Sequence, residues 1–271
     1  MVDYISDLMS YNILKWNREL PILENYRSVP DPDAASKQEY IDFKKLIDSW
    51  GYIATDPKPN GSKQFEIELC YDSKRYRLGG DQMITGWLQN FGNDNDEGKY
   101  LKKRLEDGDE RLKDFIENEF IQARYLPGNF IFWERRKGSV NQLRGGKALR
   151  DRIDLTLECL RRWCNGTPSN LDTAFNNAES YFVDVYKKSF KKFVEYNELY
   201  DFTEKKNDDY VVLDLSRSDL NPRNGEKNKV HFEDDESSFI AFPEYYERYL
   251  RNAIYVIYER SEKLKRFGIG C

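Results

Sequence analysis

The segment that most constrains the fold is "FEIELCYDSKRYRLGG", residues 65–80, where hydrophobic and polar residues alternate on both sides of Asp72 and Ser73. A period of two is typical of strands with one buried face, and Asp and Ser favour a turn between them. The segment therefore predicts an antiparallel hairpin. The apolar "GNFIFWE", residues 128–134, predicts a strand inside a sheet, and "DYVVLDL", residues 209–215, predicts another strand.

The remainder of the chain has mostly helical spacing of its apolar residues. The predicted helices cover residues 36–50, 81–91, about 99–123, 147–164, 172–202 and 243–267. Together with the strands they predict a mainly helical α+β fold with a small β-sheet. We expect a single domain over residues 1–271, with the polar loop at 91–98 as the place where it would subdivide.

Composition limits the class of protein. Hydrophobic residues make up 39% of the chain, which separates it from disordered proteins, and no run of eighteen apolar residues is present. The amino-terminal residues carry acids where a signal peptide needs an apolar segment. The four cysteines lie too far apart for a disulfide framework. These features predict a cytoplasmic protein that does not enter a membrane.

His231 is the single histidine of the chain. A zinc site with several histidine ligands is therefore excluded, and any Ser/His or Cys/His nucleophile would have to use this residue. It lies in "NKVHFEDDE", which alternates like a short strand, so we expect a structural role. The sequence predicts neither a tightly bound metal ion nor a cofactor.

The predicted helix at 147–164 has two different faces. Its apolar residues recur at helical spacing and form one core face. Asp151, Asp154, Glu158 and Arg161 recur on the other side, where acids and arginines can pair along the helix. This pattern predicts a solvent-exposed, ion-paired face.

A strongly basic segment precedes this helix. Between Glu134 and Arg152 there are seven basic residues and only two acids, whereas the whole chain has a net charge of -5. "RGG", residues 144–146, falls where the loop enters the helix, so backbone N–H groups, the helix end and arginine side chains could converge on a phosphate. The glycines match neither a P-loop nor a dinucleotide-binding pattern. An ordinary basic loop is the alternative.

The same region resembles a family of bacterial proteins known only as a domain of unknown function. The resemblance rests on "VNQLRG" followed by "DRIDLTLECLRR", which is similar to the family's Asn-x-x-Arg-Gly loop and "DRxDLTLECIRR" helix. Residues 31–50, 58–69, 128–134 and 245–266 resemble other parts of the family. In the family an aromatic residue usually follows the loop glycine, whereas Gly146 stands there in this chain, and the loop is shorter.

The basic segment and the resemblance together give a set of candidate site residues. The candidate ligand-binding residues are Asn141, Arg144, Gly145, Arg150, Arg152 and Arg161. In the functional interpretation, Arg144 and Arg152 hold an anion, while Asp154 or Glu158 acts as a base or orients an arginine. In the structural interpretation, Arg152 forms a buried ion pair with Asp151 or with an acid from another element.

Three classes of function remain open at this stage, and the sequence does not decide whether the protein is an enzyme. The preferred class is a bacterial protein that binds or acts on a nucleotide or nucleic acid, as a toxin or antiphage-defence component. The second is a non-catalytic module that binds a protein partner through its aromatic residues, which include 19 Tyr and 16 Phe. The third is an enzyme acting on a small phosphorylated metabolite. An acidic pI of about 5.3 argues against broad nonspecific DNA binding.

Overall fold

The structure, a computed structural model, describes residues 37–59, 65–84, 96–144, 152–222, 225–232 and 243–270. These residues form a mainly helical α+β fold, as the sequence predicts. The α-helices in this part of the chain are α1 Lys37–Ser49, α2 Asp96–Glu106, α3 Glu110–Phe115, α4 Ile121–Arg124, α5 Val140–Leu143, α6 Ile153–Cys164, α7 Asp172–Asn177, α8 Glu179–Tyr186, α9 Phe190–Tyr196 and α10 Pro243–Leu264.

The strands form two small antiparallel sheets. Among the described residues they are β1 Ile53–Ala54, β2 Lys58–Pro59, β3 Phe65–Tyr71, β4 Lys74–Gln82, β5 Phe130–Glu134, β6 Thr203–Lys206 and β7 Asp209–Val212. The larger sheet has the order β1-β3-β4-β5, with β2 also paired to β3, and β6 pairs with β7 in the smaller sheet. The predicted strands at 65–80, 128–134 and 209–215 are thus confirmed in their essentials.

The predicted hairpin is formed by β3 and β4. Asp72 adopts a left-handed φ of 53° in the turn, and Tyr71 pairs with Lys74 beside it. The register places Ile67 opposite Leu78, so that the alternating apolar residues of both strands lie on the buried face of the sheet. The helix predicted at 81–91 begins too early, because β4 continues to Gln82 through its pairing with β5. Residues 85–95 lie outside the described residues.

Two long predicted helices are interrupted in the structure. The helix expected at 99–123 ends first at Glu106, where Gly108 has a φ of 82°, and α3 begins after Asp109, whose carboxylate accepts a hydrogen bond from the Leu112 N–H. The helix expected at 172–202 is three helices. α8 ends because Lys187 and Lys188 both adopt left-handed backbone conformations.

Helix α10 joins distant parts of the fold. The Arg260 guanidinium is fully buried and donates hydrogen bonds to the carbonyls of Asn197 at 2.8 Å, Gly128 at 2.8 Å and Phe130 at 2.6 Å. A Cβ atom on Gly128 would lie 2.1 Å from the carbonyl oxygen of Ile257, so only glycine allows this approach of the chain to α10. α10 therefore attaches the start of β5 and the end of α9 to one rigid helix.

The hydrophobic core draws on most elements of both sheets and helices. The aromatic residues supply much of it: Tyr40 and Phe43 of α1 pack on Phe132 of β5, and Trp133 stacks on Phe193 of α9 at 5.4 Å between ring centroids. No helix in the described ranges has the length and apolar character needed to cross a membrane.

Candidate functional site

The predicted helix at 147–164 starts later than the sequence suggests, and its second face is not exposed. α6 begins at Ile153, because Arg152 has an extended backbone with a ψ of 123°. Asp154 and Glu158 are 0% and 1% exposed, so the prediction of a solvent-exposed face is wrong for both acids. The reason is that acids and arginines of this helix satisfy one another inside the fold.

Arg152 is the centre of a buried ion network. Its Nε and Nη2 atoms donate to the two carboxylate oxygens of Asp154 at 3.0 and 2.6 Å. Nη2 also donates to Asp214, from the segment after β7, at 3.2 Å. The guanidinium lies over the ring of Tyr249 on α10, 5.0 Å from its centroid. This is a buried ion pair with an acid from another element, the arrangement named in the structural interpretation.

The carboxylates of this network accept several hydrogen bonds from donors within the fold. Asp154 accepts hydrogen bonds from the backbone N–H groups of Leu155 and Leu215, both at 2.9 Å. Burial raises the pKa of Asp154 in spite of the neighbouring Arg152. Burial also acts to raise the pKa of Asp214, but Arg152 and the hydrogen bonds from Ser216 and Arg217 hold it below its usual value.

Glu158 has a comparable environment. Its carboxylate accepts two hydrogen bonds from Arg161, both at 2.8 Å, and one from Arg162 at 2.9 Å. With both oxygens held by arginines and a buried position, Glu158 has the contacts of a structural carboxylate. A role of Asp154 or Glu158 as a base stays a prediction, and nothing in their described contacts supports it.

Arg144 lies at the end of the basic loop and is 1% exposed. Its Nη1 donates to Asp81 at 2.8 Å and to the carbonyl of Gln82 at 2.7 Å, and Nη2 donates to the carbonyl of Met83 at 3.1 Å. It therefore holds the end of β4 in place. Its acidic partner is Asp81, an ion pair that no local sequence pattern predicts.

The other candidate ligand-binding residues are spread over different environments. The Asn141 side chain accepts a hydrogen bond from the Ser139 hydroxyl, and Arg161 pairs with Glu158. Gly145 and Arg150 lie outside the described residues. The structure therefore does not gather this set around one open site, and its ligand-binding role stays a prediction.

His231 contacts residues of the smaller sheet and of the segment that follows it. Its Nε2 lies 2.7 Å from a carboxylate oxygen of Glu204 on β6, and its backbone bridges Leu213. Among the described residues, no group of three His, Cys, Asp or Glu side chains is arranged to hold a metal ion.

An open cleft lies where β4, the end of β5 and the loop after β5 meet the end of α7. It has a volume of about 450 Å³. We call it the basic cleft, since five of the seven residues that line it are cationic: Arg75, Arg77, Glu134, Arg135, Arg136, Lys137 and Asn177. Three of these, Arg135 to Lys137, belong to the basic segment seen in the sequence.

Strand pairing brings the two halves of the basic cleft together. Arg75 and Arg77 alternate with the buried Tyr76 and therefore project from the exposed face of β4. The Arg135 N–H donates to the Arg77 carbonyl at 2.6 Å, which extends the pairing of β4 with β5 by one residue. A Cβ atom on Gly79 would lie 2.7 Å from Nε of Arg135, so the glycine leaves the room that the arginine side chain occupies.

The arginines of β4 are paired across the sheet. Arg77 makes a forked contact with Glu66 at 3.1 and 2.6 Å, and Arg75 lies 3.5 Å from Glu68. The side chains of Arg75 and Arg77 are more than half exposed. Such exposed pairs contribute little to stability, so a ligand anion can compete for these arginines.

Glu134 is the one acid among the residues that line the basic cleft. Its side chain is 6% exposed, and one oxygen, Oε1, accepts a hydrogen bond from Arg136. Its second oxygen, Oε2, is buried and has no hydrogen-bond partner among the described residues. Burial raises the pKa of Glu134 although Arg136 acts against this. Arg136 also donates to the carbonyl of Asn177 at the end of α7.

Sequence reasoning missed Arg75, Arg77, Glu134 and Asn177 as members of a site. The alternation of "YDSKRYRL" does predict that the two arginines share the exposed face of their strand. These residues meet through the pairing of β4 with β5 and the approach of α7. Arg77 and Arg135, for example, are 58 positions apart in the sequence, and no local pattern predicts such a contact.

No curated protein and no solved structure is significantly similar to this chain. A sequence profile of a family of unknown function, DUF6994, matches residues 17–264. The match includes the hairpin, the basic cleft and the buried network of α6. The chain therefore belongs to this family of unknown function.

Proposed function

We propose that the protein binds a phosphate-bearing ligand, a nucleotide or a short stretch of nucleic acid, in the basic cleft. The observation that carries the proposal is the cleft's lining of four arginines and one lysine with a single acid, in a chain whose net charge is -5. The guanidinium of arginine donates paired hydrogen bonds to phosphate oxygens, and the ammonium of lysine adds a positive charge.

The contacts at the basic cleft support an exchangeable anion site. The side chains of Arg75 and Arg77 are more than half exposed although the acids of β3 that they face are partly buried, and Lys137 is exposed and has no ion pair within the described part of the chain. Phosphate carries more charge than one carboxylate and accepts more hydrogen bonds. A ligand phosphate can therefore draw these side chains together at little cost to the fold.

The size of the cleft favours a small ligand. A volume of about 450 Å³ lies within the usual range for small-molecule sites. A mononucleotide fits this class, and so does a nucleotide unit of a single strand. An enzyme acting on a small phosphorylated metabolite is the alternative that shares the same chemistry.

The protein-interaction alternative has less support from the described residues. Most of their aromatic side chains are buried in the core, and the markedly exposed large hydrophobic side chains are Ile53, Leu143, Val183 and Tyr258. These come from four different elements or loops. A role as a cytoplasmic toxin or antiphage-defence component in bacteria stays a prediction that depends on the proposed ligand.

The test is titration of the purified protein with AMP and with a short single-stranded oligonucleotide, followed by calorimetry. The double variant Arg75→Ala/Lys137→Ala removes two exposed cations of the cleft, and we expect it to weaken binding at least about tenfold. A matched control is Arg111→Ala/Lys205→Ala, which removes the same charges from exposed positions outside the cleft lining. Equal binding by wild type and both variants would refute the proposal.

A further inference from the structure

The basic cleft contains one group that a bare anion site does not need. Glu134 brings a nearly fully buried carboxylate, held by Arg136, into a lining that otherwise carries five cations and one amide, and a negative charge there opposes the entry of an anion. A site for phosphate alone would bind more tightly without it. Its position therefore calls for a ligand that gains from a carboxylate.

The oxygen Oε2 of Glu134, which lacks a hydrogen-bond partner, indicates that the ligand supplies a hydrogen-bond donor. Oε1 is held by Arg136, whereas Oε2 has no donor within the described ranges. A buried carboxylate oxygen without a donor is unfavourable, and a ligand hydroxyl is a donor that can satisfy it. Carboxylates accept hydrogen bonds from ribose hydroxyls in other nucleotide sites for the same reason.

We propose that Glu134 selects phosphate esters that carry hydroxyl groups, with ribonucleotides as the favoured class, by accepting a hydrogen bond from a ribose hydroxyl through Oε2. This inference rests on the proposed function and adds the identity of the ligand's sugar. The phosphate contacts the arginines and the lysine, and the sugar lies towards the strand end where Glu134 is held.

The experiment compares two probes of equal charge, AMP and 2′,3′-dideoxy-AMP, by calorimetry. We expect wild type to bind AMP about tenfold more tightly, the affinity equivalent of one charge-assisted hydrogen bond. In Glu134→Gln the amide oxygen must face Arg136, which can only donate, so the amide nitrogen takes the position of Oε2. AMP should then bind more weakly, while dideoxy-AMP should bind equally well or better because a negative charge is gone.

A second variant separates this role from the holding of Arg136. Arg136→Ala should weaken both probes and keep the preference for AMP. If Glu134 acts only by holding Arg136, both variants change the affinity of the two probes by the same factor, and the inference is overturned. Ribose 5-phosphate, used as a third probe, shows whether the base contributes, since affinity equal to that of AMP assigns the site to sugar phosphates in general.

The outcomes also separate this inference from the proposed function. A wild type that binds AMP and dideoxy-AMP equally refutes the selection by Glu134 and leaves the phosphate cleft intact. A wild type that binds neither probe refutes both. Thermal melts of Glu134→Gln verify its folding, which the similar size of glutamine favours.

Discussion

The buried network around Arg152 and the basic cleft are both rich in arginine, but their arginines have different surroundings. In the network the guanidinium of Arg152 lies against the carboxylates of Asp154 and Asp214 inside the core, and all three groups are buried away from a ligand. In the cleft the cations outnumber the single lining acid and reach solvent. Arg144, Arg152 and the helix α6 that follows them therefore belong to the interior, whereas the candidate binding surface lies beside them.

The largest expected effect is on the buried network. Arg152→Ala leaves Asp154 and Asp214 buried without their cation, and we expect the free energy of unfolding to fall by about 3 to 5 kcal/mol. Urea denaturation measures this change. Arg217→Ala is the control, because Arg217 contacts the same Asp214 from a partly exposed position and should cost clearly less. Comparable losses for the two variants would contradict the distinction between buried and surface arginines.

The second largest expected effect is the loss of stability on replacing Arg144, which is one of the ligand-binding residues predicted from the sequence. Arg144→Ala removes the cation from Asp81 and the donors from two carbonyls, so we expect a loss of about 2 kcal/mol or more. Arg144→Lys should restore little, because one ammonium cannot reproduce the fork that spans Asp81, Gln82 and Met83. An unchanged urea midpoint combined with lost ligand binding would instead return Arg144 to the binding site.

Salt should weaken ligand binding in the basic cleft and should change the stability of the buried network little. Exposed charges are screened by salt and buried pairs are screened much less. Raising salt from about 50 to about 200 mM should weaken the binding of a single-stranded oligonucleotide about tenfold if two or three phosphates are neutralised. The unfolding midpoint of wild type should change little over the same range. Salt-independent oligonucleotide binding would argue against phosphate contacts in the basic cleft.

The smallest expected effect is the pH dependence of Glu134. Burial raises the pKa of Glu134 in the folded state, so the ionised carboxylate lowers the stability of the fold at pH values above that pKa. This loss of stability disappears as the pH falls to the pKa of the unfolded chain, about 4.3, and below it. Glu134→Gln should therefore gain in melting temperature relative to wild type at pH 7 more than at pH 4. A difference between the two proteins that is the same at both pH values would contradict the shift.

Local patterns predict the regular elements of this fold well. The stripe of Tyr40, Phe43 and Ile47 predicts α1, and the turn at Asp72 predicts the hairpin, because each depends on residues close in sequence. The breaks of the long helices are harder to predict. Lys187 and Lys188 are ordinary helix formers, and only the tertiary fold places them in the left-handed region.

The candidate site was predictable only in part, for a physical reason. A charged residue on a helix usually faces solvent, and the sequence of α6 does not show that Asp214 and Tyr249 come to meet Arg152. The cationic run from Arg135 to Lys137 is visible as a local excess of charge. Its partners on β4 depend on strand pairing, which is a long-range contact.

The contact of α10 with the loop before β5 has a consequence for the order in which the protein is made. Gly128 and Arg260 are separated by more than a hundred residues, and the carbonyls of Gly128, Phe130 and Asn197 find their common donor only on α10. A growing polypeptide that has emerged from the ribosome as far as α9 still lacks this donor. The sheet that supports the basic cleft therefore reaches its final packing only after residues 243–264 have been synthesised, which makes that packing a late event in folding.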